Sequence, residues 1–201
     1  MISIIDYGVG NLFSLSASLN YLNIKNQITS NKETIEKSDK IILPGVGAFE
    51  DAMKKLQSTG LVNFLKQQTK TKKLLGICLG MQLLLEKSFE YGEHDGLSLI
   101  KGEVRTLSED LPKSFKVPHM GWNKLKLKED EPLFKYITNG DYVYFVHSYH
   151  AIKCNLNTIA TTDYKISITA AISSGNVYGV QFHPEKSGDI GLKILKAFNE
   201  L

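Results

Sequence analysis

The sequence predicts an α/β fold: a single domain with a mostly parallel central sheet flanked by helices, and a smaller antiparallel portion. Three observations carry this. Short apolar runs alternate with helix-periodic stretches from Ile2 to about Gln82, the rhythm of strand–helix units joined in parallel. One such run, Leu74-Leu75-Gly76-Ile77-Cys78-Leu79-Gly80-Met81-Gln82, has the G-x-nucleophile-x-G form of a strand-to-helix elbow. No linker, internal repeat or low-complexity segment divides the 201 residues, a length suited to one hydrophobic core.

Taken in order, Ile2 to Asp6 reads as a buried first strand, and Gly8-Val9-Gly10-Asn11 turns into a helix with Leu12, Leu15, Leu19 and Leu22 on one face. A dinucleotide fingerprint is disfavoured there because Phe13 stands where the third glycine belongs. A short strand near Lys25 to Thr29 precedes a polar stretch with Glu33 and Glu36. Lys40 to Leu43 is a second clear strand, ending at Pro44-Gly45-Val46-Gly47-Ala48-Phe49 before a helix from about Phe49 to Leu56. A further helix, Leu61 to Gln68, leads into the elbow strand, and the helix after Cys78 is expected to run through Leu83, Leu84 and Leu85.

Beyond Lys87 the glycines and the Leu111-Pro112 and Val117-Pro118 pairs predict hairpins and loops. Lys116 to Asn123 reads as a tight turn that gathers His119, Met120 and the single tryptophan, Trp122, as a lid or an interface. Asp141 to Val146 alternates like a strand closed by His147-Ser148-Tyr149-His150. His147 and His150 would lie on opposite strand faces, which speaks against zinc. Ile168 to Ile172 and Val177 to Phe182 read as a hairpin across Ser173-Ser174-Gly175-Asn176, followed by His183-Pro184-Glu185-Lys186 and a closing helix from Ile190 to Phe198.

The formal charge of +3 is small and its lysines are dispersed, so neither nucleic acid nor a membrane surface is an expected partner. Cys78 and Cys154 are too few for a disulfide framework. They read as free thiols in a reducing, cytoplasmic setting, with no signal peptide or apolar span. No metal or cofactor is called for.

Cys78 sits where a helix N-terminus favours thiolate, whereas a free thiol with a pKa of about 8.5 is mostly protonated at neutral pH. Of the five histidines, His183 is the best-placed base, delivered by an apolar strand and followed by Glu185, which can orient its ring. Acyl transfer also needs oxyanion donors: the Leu79 amide, and one from the Val46–Gly47 loop. Gln82, four residues after Cys78, shares its helix face.

The elbow, Pro44-Gly45-Val46-Gly47 and Gln181-Phe182-His183-Pro184-Glu185 together resemble class I, triad-type glutamine amidotransferases. Within that family the similarity is greatest to the glutaminases of histidine biosynthesis, through Asp6 to Leu12, Pro118 to Asn123 and Val146 to His150, and it spans residues 1–201 as one amidotransferase domain. The resemblance implies glutamine hydrolysis through a cysteinyl thioester, with Cys78 as nucleophile, His183 as base and Glu185 as its orienter. It implies that Gly47, Gln82, Ser148 and Tyr149 hold L-glutamine. It assigns Asn11, Met120, Trp122 and Lys186 to a face docking on a (β/α)8 cyclase subunit, in a heterodimer that makes imidazole glycerol phosphate and AICAR. Two glycines around Val46 would let its peptide turn over, so that one oxyanion donor forms only in the complex. A paralogous glutaminase feeding amidine formation in surface-sugar synthesis, and a non-catalytic docking subunit, are the alternatives.

Overall fold

The computed structural model describes residues 1–201. Its strands are β1 Ile2–Ile5, β2 Asn26–Thr29, β3 Lys40–Leu43, β4 Lys73–Ile77, β5 Lys87–Ser88, β6 His94–Asp95, β7 Glu103–Thr106, β8 His119–Leu127, β9 Tyr142–His147, β10 Tyr149–Ile152, β11 Thr158–Tyr164, β12 Ile166–Ser174 and β13 Val177–Val180. The helices are α1 Leu12–Tyr21, α2 Lys32–Lys37, α3 Phe49–Ser58, α4 Leu61–Gln68, α5 Leu79–Leu83, α6 Leu107–Asp110 and α7 Gly188–Glu200.

Nine strands form one sheet in the order β2-β1-β3-β4-β13-β12-β11-β8-β9. The first five of these run parallel and the remaining four extend the sheet in antiparallel fashion. Two apolar layers cover it. Alternation along β4 sends Leu75 and Ile77 to a cluster with Leu15, Leu19, Leu195 and Phe198, while Leu74 joins Phe49, Leu56, Leu61 and Leu65 on the other face. Burial on both faces is what makes these short strands continuously apolar. Each large side chain so buried contributes about 1.5–3 kcal/mol. A second sheet, β10-β7-β5-β6, is built from the glycine-punctuated middle of the chain.

Because β1, β3, β4 and β13 are parallel, the Asp6-Tyr7 turn, the Pro44–Gly47 loop, Cys78 and His183 all emerge at one sheet edge, where ligands bind in such folds.

Several local expectations are corrected. Residues 32–37 form a helix, since Asn31 accepts the Thr34 N–H as an N-cap and Ile35 is buried beneath it. Helix α5 stops at Leu83: the carbonyls of Leu83, Leu84 and Leu85 accept N–H bonds from Leu97, Leu99, Ile100 and Ser98 instead of continuing the helix. Trp122 lies inside the nine-residue strand β8, not on a turn, paired opposite Tyr144 of β9. Strand β11, with Thr161 and Thr162 at its centre, has no apolar run in the sequence to announce it.

Candidate active site

Cys78 caps α5 with φ 54° and ψ −111°, a conformation few non-glycine residues adopt and one that stores backbone strain. Close backbone packing holds it there. A Cβ on Gly80 would overlap the Leu43 carbonyl oxygen, and one on Gly45 would lie 2.8 Å from the Gly80 nitrogen. The elbow and the Pro44–Gly47 loop are therefore pressed together, and neither glycine admits a side chain. The Tyr7 hydroxyl donates to Pro44 O at 2.7 Å and fixes the root of that loop. Its tip is free: neither the Val46 nor the Gly47 N–H has a partner within the chain, and Gly47 has φ +93° with open space around it.

His183 is delivered by the end of β13. Its N–H donates to Tyr144 O at 3.0 Å and its carbonyl accepts the Ser187 hydroxyl at 2.7 Å. That hydroxyl also accepts the Tyr144 N–H, so β9 clamps the His183–Ser187 turn. The His183 Nδ1–H donates to Glu185 Oε1 at 2.8 Å, with both side chains 3% exposed. The second oxygen of Glu185 is buried and has no protein partner, so the imidazole is the carboxylate's counter-ion and Lys186 is not. This pairing leaves Nε2 for the thiol. Burial works against the imidazolium, but the Cys78 sulfur and Glu185 beside it outweigh burial and raise the His183 pKa to about 9.

A cavity of about 550 Å³ opens over the thiol. Of the residues singled out in the sequence, Val46, Gly47, Cys78, Leu79, Gln82, Ser148, Tyr149, His183 and Lys186 line it, with Glu185 behind His183. Gln82 donates from Nε2 to Tyr149 O and to Gln181 Oε1, both at 3.0 Å, which leaves its Oε1 free to accept from a ligand. Met120 and Trp122 share the outer face of β8 and are 65% and 53% exposed. Their strand is continuous with the cavity rim, because Pro118 and Val146 line the cavity and Met120 pairs with Val146. Asn11 precedes α1, beside a Gly10 that packs on Pro44.

Sequence reasoning missed Glu90 and Gln181. Glu90 lines the cavity, is buried, and accepts the Phe49 N–H at the start of α3 at 2.6 Å; burial raises its pKa. A lone carboxylate between Phe89 and Tyr91 was the available signal. Gln181 is fully buried and donates to the Cys78 sulfur at 3.8 Å. His147 and His150 end up in different sheets with separate partners, Tyr149 O and Asp110, and no cluster of three or more potential metal ligands forms. No helix is long and apolar enough to cross a membrane.

Comparison with known proteins gives the same direction. The profile of the family "Glutamine amidotransferase class-I" matches residues 3–199. The chain is 52% identical to imidazole glycerol phosphate synthase subunit HisH of Caldanaerobacter subterraneus, over 100% of this chain and 98% of that protein. It is 50% identical to the HisH subunit of Listeria monocytogenes (100% and 96% covered) and 49% identical to that of Bacillus thuringiensis (98% and 93%). A solved glutamine amidotransferase shares the fold with a TM-score of 0.76 at 17% identity, covering 98% of both chains, as does a chain of PurLQS from Thermotoga maritima, at 0.75 and 18%, covering 99% and 97%. Matched by that profile over nearly its whole length, the chain belongs to the class-I glutamine amidotransferase family.

Proposed function

We propose that this chain is the glutaminase subunit of an imidazole glycerol phosphate synthase, hydrolysing L-glutamine to glutamate and ammonia and passing the ammonia to a (β/α)8 cyclase subunit of histidine biosynthesis. The observation that carries the catalytic reading is a strained thiol at the parallel-sheet edge, with an imidazole beside it that is oriented by a buried carboxylate.

In this reading the Cys78 proton passes to His183 Nε2, and the thiolate attacks the side-chain amide carbon of glutamine. The carbonyl π pair moves onto oxygen. The Leu79 N–H and an amide of the Val46–Gly47 peptides are the donors that meet it, each worth about 10²- to 10³-fold in rate. Collapse expels the amide nitrogen, which takes the proton from His183 and leaves as ammonia. Water then attacks the thioester, losing its proton to His183, and the second tetrahedral intermediate collapses to glutamate as the C–S bond breaks and the Cys78 sulfur takes the proton back from His183.

Substrate contacts follow from donor and acceptor chemistry. Gln82 Oε1, already oriented by its own amide bonds, accepts from the substrate, and Ser148 and Tyr149, the latter hydrogen-bonded to Gln82 through its carbonyl, line the cavity beside it. Glu90 offers an oxygen to the α-ammonium group while Phe49 holds the other. The exposed Met120–Trp122 face, with Asn11 and Lys186, is the cyclase-docking surface in a cytoplasmic heterodimer; an exposed tryptophan beside a methionine is the composition expected of an interface centre. The unpartnered Val46 and Gly47 amides support an oxyanion site completed on docking.

The test is glutamate release by the purified chain alone and with a (β/α)8 cyclase subunit plus its ribulosyl-aminoimidazole-carboxamide nucleotide. Weak release alone and strong stimulation by both are expected; equal turnover in the two conditions contradicts the docking claim.

A further inference from the structure

A hydrogen-bonded chain of side chains, joined at one backbone carbonyl, runs from strand β8 to Cys78. His119 and His147 are register partners on β8 and β9, and His119 Nδ1 lies 3.0 Å from His147 Nε2. Outward, His119 Nε2 lies 2.9 Å from the Asn123 amide, whose other end meets Asp163 O. Inward, His147 Nδ1 lies 2.9 Å from Tyr149 O, the same carbonyl that accepts the Gln82 Nε2–H. Gln82 holds Gln181 Oε1, and Gln181 Nε2 reaches Cys78 Sγ.

Counting protons gives this chain a direction. Carbonyl oxygens stand at both ends of the His119–His147–Asn123 segment, and carbonyls only accept. Two neutral imidazoles carry two N–H groups, so they cannot serve three contacts that each demand one. Burial keeps both rings neutral, and the titratable groups facing the pair are the neighbouring His150 and His183. The contact that goes short falls where it costs least, at Asn123, which is half-exposed. With the Asn123 amide ends exchanged, its Nδ2–H donates to His119 Nε2, the His119 Nδ1–H to His147 Nε2, and the His147 Nδ1–H to Tyr149 O, and the one contact left without a proton is Asn123 Oδ1 against Asp163 O at the exposed end of the chain. Every donor then points toward Tyr149 O, where the Gln82–Gln181–Cys78 branch begins. The His119 ring is locked for this role, stacked between Phe145 and Tyr164 at 4.8 and 4.1 Å.

We propose that His119 and His147 are positioning residues for the Cys78 thiolate, acting through Tyr149 O, Gln82 and Gln181 to hold the Gln181 N–H against the sulfur. Because Met120 and Trp122 flank His119 and Asn123 on the same strand, the chain also gives the exposed face a mechanical connection to the nucleophile. The proposal rests on the reading of Cys78 as the reactive thiol, but not on glutamine turnover.

The experiment is the pH dependence of Cys78 alkylation by iodoacetamide in full-length chain carrying Cys154→Ala, which leaves one thiol. His119→Phe keeps a ring in the stack but removes both nitrogens. It should slow alkylation at pH 7 about threefold and move the midpoint up by about half a pH unit, because a thiolate that loses a donor is less stabilised. His119→Asn, which retains a donor toward His147, should stay near the parent. In a Gln181→Leu background the His119→Phe effect should vanish, the signature of a shared path. A folded His119→Phe variant whose profile overlays the parent, or an effect of equal size with and without Gln181, overturns the proposal. If His119→Phe does not fold, His119→Met fills the same slot and is read the same way. Alkylation needs no substrate, so loss of glutaminase activity in the parent would count against the proposed function and leave this result standing.

Discussion

His183 Nδ1 and Glu185 Oε1 lie 2.8 Å apart, both side chains are almost wholly buried, and the carboxylate has no other protein partner. A lone buried carboxylate on one ring nitrogen fixes the tautomer and favours the imidazolium on which the proposed mechanism relies. Glu185→Gln removes that charge while keeping the shape. It should lower kcat by about 10²-fold. It should also move the alkaline limb of the rate profile below its parental position near the His183 pKa of about 9, since losing an anion lowers a neighbouring pKa. Steady-state glutaminase assays across pH check both effects; an unmoved limb means Glu185 does not set the histidine's charge.

Two glycines of the site should fail differently. Gly80→Ala forces a methyl into the Leu43 carbonyl oxygen and should cost about 3 kcal/mol or more of stability. Gly47→Ala meets open space, but its φ of +93° makes an alanine strained by about 1 kcal/mol, so the fold should survive while the loop shifts and glutaminase activity drops. Thermal unfolding alongside activity separates the two outcomes.

Acid should destabilise the chain early. Burial lowers the pKa values of His119, His147 and His150, that of His147 to about 3. Below pH ~6.5 the unfolded chain binds protons that the folded chain refuses, so stability falls as pH falls. His147 alone should lose about 2 kcal/mol by pH 5. Denaturant unfolding at pH 7 and pH 5 measures this, and His147→Gln should flatten the difference.

Glu90 should act on binding more than on chemistry. Glu90→Gln keeps an acceptor for the Phe49 N–H but loses the charge facing an ammonium group, so KM for glutamine should rise about tenfold or more, with kcat changed less. An unchanged KM would place the ammonium group elsewhere.

What the sequence disclosed follows from which forces act locally. Helix α4 and strand β3 were legible residue for residue, because period and β-branching report directly on burial. The terminal hairpin was legible from Gly175-Asn176, although Ser173 and Ser174, read as part of the turn, pair with Tyr178 and Val177 inside β12. Helix α2 was hidden because only Ile35 faces the core, and its stability comes from the Asn31 cap. Strand β8 was mistaken for a turn because Pro118 and Gly121 are turn residues, whereas nine residues of pairing with β9 and β11 decide its conformation. At the site, Cys78 directly follows β4 and His183 lies three residues past β13, both apolar strands that the sequence announces, and Glu185 sits two residues further on in the Pro184–Lys186 turn. Glu90, Gln181 and Ser187 do their work through hydrogen bonds to residues far along the chain or in its backbone, which no spacing encodes.

The most direct test of the account is to trap the thioester. Full-length chain, with its cyclase subunit and nucleotide, is mixed with isotopically labelled glutamine, quenched in acid within a turnover, and digested for mass spectrometry. The account predicts one glutamyl group on the peptide containing Cys78, increased when water attack is slowed and absent in Cys78→Ala. Glutamate release that persists in Cys78→Ala, or label on another residue, would contradict it.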